Sequence, residues 1–226
     1  MSDLEIGMWI LFVGCSTFFA FMYFVMIRSR QQQQDLESDL FEGLEKLGLK
    51  VHPEIDPKMT EWLEAALTPQ RLQSQKKRYL GTGNYRGSNL LSLQLESVVH
   101  TGQSVITIRQ TVCIIPLEKQ LPKMEIAPKN ILHNFFRFLM PKSVRFYSHP
   151  QFEKKYYVKG EDFVAIEEAL PPRALEFLEN NTGIFWAITG QHLIYFQPTK
   201  AWYSYEDQKI FLDRGVDLKD LLLETT

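Results

Sequence analysis

From Ile6 to Ile27 the chain runs twenty-two residues without a charged side chain. At about 1.5 Å per residue a helix of that length reaches roughly 33 Å, enough to cross a hydrocarbon core of about 30 Å. The run therefore predicts a single transmembrane helix. Its polar side chains, Ser16, Thr17 and Tyr23, are tolerable there because helical hydroxyls bond back to the preceding turn. Asp3 and Glu5 precede the run and Arg28 and Arg30 follow it, so the positive-inside rule places the N-terminus outside and the rest of the chain in the cytoplasm. A cleaved secretory signal needs a basic start and a small-residue cleavage site, and neither is present. Val13-Gly14-Cys15 looks like the approach to a lipidated cysteine, but Phe18-Phe19-Ala20-Phe21 stands where a mature lipoprotein has a polar tether. Cys15 reads as a small apolar residue.

The remainder is long enough for one well-buried domain. A formal net charge of −2 supplies no general attraction for nucleic acid, which is excluded as a partner class. With Cys15 inside the expected membrane helix and Cys113 in the apolar run Thr111-Val112-Cys113-Ile114-Ile115, the two cysteines do not pair.

Three regions follow along the chain: an anchor over 1–30, a helical stalk with connecting helices over 31–80, and a soluble domain over 81–226. Leu36, Leu40, Leu44 and Leu47 form a narrow helical stripe, either a stalk continuing the membrane helix or a weak coiled coil joining two copies. Asp56-Pro57 and Thr68-Pro69 are helix starts, and the second helix is expected to reach Lys76-Lys77-Arg78 before Gly81 and Gly83 stop it. Ser88–Val99 and Ser104–Ile115 read as a pair of antiparallel strands joined at His100-Thr101-Gly102-Gln103. Helices are expected over Glu161–Leu170 and from Pro171-Pro172 to Leu178. Gly190-Gln191 marks a second hairpin, and Val216–Leu223 a terminal helix. Interspersed hairpins and helices make the fold class α+β: a transmembrane helix and stalk, then a cytoplasmic domain of antiparallel hairpins and packed helices.

No catalytic, metal or cofactor constellation emerges. The five histidines are scattered without metal-ligand spacing. Gly81-Thr82-Gly83-Asn84-Tyr85-Arg86-Gly87 has a helix before it and a strand after it, the reverse of a phosphate-binding loop. The doublets Glu167-Glu168 and Glu206-Asp207 point different ways from their helices. Two surfaces remain. Trp202, Tyr203 and Tyr205, flanked by Lys200, Glu206 and Asp207, cannot all point inward, which makes them candidate partner-binding residues or an irregular segment covering the hairpin. Asn130 to Met140 is either a core helix or a helix lying on the membrane surface with Phe135, Phe136 and Arg137 at the lipid.

Gly83-Asn84-Tyr85-Arg86-Gly87, Val144-Arg145-Phe146 and Pro150-Gln151-Phe152-Glu153-Lys154-Lys155-Tyr156-Tyr157-Val158, with Ala169-Leu170-Pro171 and Gly190 after them, resemble a family of uncharacterised bacterial membrane-anchored proteins with a domain of unknown function. The resemblance spans Arg78 to Ile210 and implies a bacterial inner-membrane setting, but no activity, cofactor or catalytic residue. The expected function is a non-catalytic protein-interaction domain, an accessory subunit or scaffold at the cytoplasmic membrane face. The alternatives are an enzyme with an unrecognised site and a lipid-sensing module. The expected partners are the membrane through Ile6–Ile27, another protein, and a second copy through the stalk.

Overall fold

A computed structural model describes residues 23–28, 31–32, 34–55, 63, 75–102, 104–129, 143–198 and 200–224. Strands β1 (Lys50–His52), β2 (Lys76–Tyr85), β3 (Ser88–Thr101), β4 (Ser104–Pro116), β5 (Met124–Pro128), β6 (Tyr156–Gly160), β7 (Phe185–Ile188) and β8 (His192–Phe196) form one sheet. Every neighbouring pair is antiparallel, in the order β1-β2-β3-β4-β8-β7-β5-β6. The helices are α1 (residues 34–46), α2 (Pro150–Lys155), α3 (Phe163–Ala169), α4 (Pro172–Asn180) and α5 (Tyr205–Leu223).

The central strands are apolar at successive positions because both faces of the sheet are buried. On one face Cys113, Ile115, Trp186, Ile188, Leu193 and Tyr195 join Leu40 and Leu44 of α1, Leu175 of α4, and Phe211 and Val216 of α5 in a single core. On the other face Leu93, Leu95, Val112, Ile114, Ile194 and Phe196 pack with Leu63. The helix face is held by a run of rings: Trp186 stacks on Tyr195 at 4.9 Å, Tyr195 meets Phe211 at 4.7 Å, and Phe211 stacks on Trp202 at 5.5 Å.

The expected transmembrane helix over Ile6–Ile27 requires correction. Among the described residues no helix is long and apolar enough to cross a membrane. Residues 6–22 lie outside the described residues. Of the run, residues 23–27 are described, and they are helical. Among the described residues the fold class is α+β with no membrane-spanning helix, which contradicts the expected anchor and with it the descriptions membrane, transmembrane and single-pass.

The leucine stripe is helical but does not stand free as a stalk. Leu40 and Leu44 are 2 % exposed and Leu47 is buried, all within the sheet core, while Leu36 is half-buried. A Cβ on Gly81 would sit 3.1 Å from Leu44 Cδ1, and one on Gly83 would sit 2.8 Å from the Gly48 carbonyl oxygen. These glycines are strand positions where α1 and the chain behind it come closest. Lys76-Lys77-Arg78 accordingly opens strand β2 instead of ending a helix, and β2 runs through the boundary expected at residue 80. The terminal helix also begins earlier than Val216, at Tyr205, where the Ser204 hydroxyl accepts from the Asp207 N–H at 3.2 Å.

Candidate interaction surface

β3 and β4 are the longest strands, at 14 and 13 residues, and they outrun their neighbours. β2 begins opposite Glu96, and β8 reaches along β4 only to Val112. Beyond those points, among the described residues, Ser97–Thr101 and Ser104–Ile108 pair only with each other. The result is a two-stranded ribbon of about 16 Å, with no strand among the described residues along either edge. From Ser97 to Ile108 its twelve residues carry no Asp, Glu, Lys or Arg. Three of its aliphatic side chains face solvent: Val98 is 53 % exposed, Val105 61 % and Ile106 50 %.

The foot of the ribbon is rigid. Glu96 and Arg109 are directly opposed across β3 and β4, with Arg109 Nε donating to Glu96 Oε2 at 2.9 Å. Arg78 on β2 lies 3.8 Å from the same carboxylate and donates to Glu37 of α1 at 3.2 Å. Four alternating charges thus tie one helix to three strands, and their low exposure, 12–26 %, makes the network stronger than a surface pair. Beside it the chain after β8 returns along β4, the Thr111 N–H donating to the Lys200 carbonyl at 3.1 Å and the Trp202 N–H to the Thr111 hydroxyl at 3.0 Å.

This return decides the fate of the expected aromatic surface. Trp202 is 5 % exposed, stacked on Phe211, with the Lys200 ammonium 3.6 Å from its ring centroid. It is a core ring and not a surface anchor. Tyr203 and Tyr205 are half-buried against the same core, and Tyr203 reaches Arg109 at the ribbon's foot. Phe135, Phe136 and Arg137, with all of Asn130 to Met140, lie outside the described residues.

Elsewhere the chemistry is sparse. Burial pushes the Cys113 thiol up to about 12, so it stays protonated and unreactive. Burial also lowers the pKa of His192. His52 is hydrogen-bonded to the Thr82 hydroxyl at 3.0 Å. Among the described residues no group of three or more His, Cys, Asp or Glu side chains converges on one point. A cleft of about 260 Å³ opens at the ends of β5, β6 and β7, with Lys123, Glu125, Lys159, Glu161 and Thr189 on its walls. It has no histidine, cysteine or serine among its lining residues.

The ribbon's strands and their turn were legible in the sequence, but Val98, Val105 and Ile106 were not recognised as exposed. The signal available was the uncharged interval between Glu96 and Arg109. A solvent-facing strand ordinarily carries charges on its outer side, and this one has none.

No family model matches the chain, and no curated protein matches it. The fold is similar to that of the crystal structure of the mycobacterial trehalose monomycolate transport factor A, with a TM-score of 0.53 at 10 % identity, covering 84 % of this chain and 95 % of that one. At that identity the likeness concerns the fold.

Proposed function

We propose that this chain is a non-catalytic interaction domain, an accessory subunit or scaffold that attaches to another protein through the β3–β4 ribbon. One observation carries the reading: an uncharged two-stranded arm with exposed aliphatic side chains and two open edges, mounted on a tightly ion-paired foot. Proteins normally blunt such edges, and the other ends of this sheet are blunted. β1 is three residues long, and the outer edge of β6 is occupied by Val144, whose N–H donates to the Val158 carbonyl at 2.9 Å. That the similarly folded mycobacterial protein is described as a transport factor supports the accessory role.

Magnitudes indicate what kind of attachment this is. Burying the exposed halves of three aliphatic side chains yields about 1 kcal/mol each. Three or four edge hydrogen bonds add about 1 kcal/mol each. Against an association cost of about 4–15 kcal/mol, the ribbon supports reversible binding.

The test is an affinity pull-down of the full chain in gentle detergent after crosslinking, alongside a Val98→Lys/Ile106→Lys double variant whose folding is checked by circular dichroism. A stoichiometric partner that is retained by the native chain and lost by the folded variant is expected. Recovery of the native chain with nothing attached, or equal capture by both, overturns the reading.

A further inference from the structure

The two edges of the ribbon are not equivalent. β3's edge runs into Lys76 and Lys77 at the start of β2, and lysine beside an edge is a common guard against strand addition. β4's edge has no such guard from Ser104 to Ile108. Its bonding pattern is also defined. The Thr111 N–H points away from β3, to Lys200, and antiparallel backbone groups alternate in direction residue by residue. The N–H and C=O groups of Arg109, Thr107 and Val105 therefore point away from β3, and no described strand pairs with them.

We infer that β4 pairs with β4 of a second copy of this chain, antiparallel about a twofold axis at Thr107. The inference rests on the ribbon being an attachment site, and names the occupant of one of its edges. In this register Thr107 faces Thr107 of the partner subunit, Ile106 faces Ile108 of the partner subunit, and Val105 faces Arg109 of the partner subunit. All three outward-facing residues bond, and the half-exposed Ile106 gains an aliphatic cross-strand neighbour. The two Arg109 guanidiniums stay four residues apart along the strands, about 13 Å, and each keeps its own Glu96. Because the segment 104–108 is uncharged, no like charges meet across the axis. Five residues of edge fall below the roughly 1,200 Å² buried by standard stable interfaces, so the dimer is concentration-dependent.

Sedimentation equilibrium of the full chain from low to high micromolar concentration should show a reversible monomer–dimer exchange. Thr107 is exposed, so Thr107→Lys and Thr107→Glu leave the fold intact while placing like charges on the axis. Each alone should weaken dimerisation at least tenfold, and an equimolar mixture of the two should restore it. Thr107→Pro, which removes an outward N–H without touching the β3–β4 ladder, should also yield monomers. A native chain that stays monomeric throughout, or single-charge variants that dimerise like the native chain, overturns the twofold pairing. If the native chain is monomeric yet its pulled-down partner is lost in Thr107→Lys, the edge belongs to a different protein. In that case the pairing fails while the attachment reading stands.

Discussion

Gly215 sits where α5 crosses the sheet, and a methyl group there would overlap the Tyr195 ring. Helix propensity alone favours alanine over glycine by about 1 kcal/mol. The ring cannot retreat, because it is fully buried between Trp186 and Phe211. Overpacking therefore wins, and Gly215→Ala should lose about 2 kcal/mol or more of stability in urea denaturation. Asp213, also on α5, is governed by electrostatics. Burial pushes its carboxyl up, but hydrogen bonds from Lys209 at 2.7 Å, Tyr85 at 2.8 Å and Arg86 at 3.1 Å outweigh it, and the net shift is downward. A lowered folded-state pKa gives stability that is present above the ordinary aspartate value and is lost as pH falls through the folded one. Lys209 is half-exposed and adds little, so Asp213→Asn should cost about 1–2 kcal/mol at pH 7. The gap to the native chain should hold above about pH 5 and close below about pH 4 in pH-dependent unfolding.

At the scale of elements, α1 shows how one periodic signal serves two architectures. A stalk, a coiled coil and a sheet-packed helix all place leucines on one stripe. What separates them is the partner. Leu44 lies against Gly81 and is 2 % exposed, whereas Leu36, two turns earlier, is half-buried. Leu44→Ala should cost about 2–5 kcal/mol and Leu36→Ala less than about 1 kcal/mol, read from urea midpoints by tryptophan fluorescence. Equal and small effects would restore the stalk. The hairpins and the helix restart at Pro172 behaved otherwise. The β3–β4 turn, the β7–β8 turn and the restart at Pro172 formed close to where their residues indicated, because turn and cap chemistry is settled within a few residues. β2 escaped for the opposite reason: its two glycines resemble breakers until α1 and the Gly48-Leu49 segment after it, which leave no room for a Cβ, are brought alongside.

For the whole molecule, the α+β class and much of the strand and helix pattern from Ser88 to Leu223 follow from the sequence alone, since they rest on period, caps and turns that act locally. The tertiary structure decided which side chains lie at the surface. It buried Trp202, which its neighbours Tyr203 and Tyr205 had made a candidate anchor, and it left Val98, Val105 and Ile106 of the β3–β4 hairpin in solvent. It also gave the leucine stripe a partner within the chain and placed β1 and β2 in the main sheet. Burial is set by what arrives from far along the chain. An aliphatic strand is core where β2 and β8 flank it and interface where they stop, and the lengths of neighbouring strands are not written in the residues of β3 and β4 themselves.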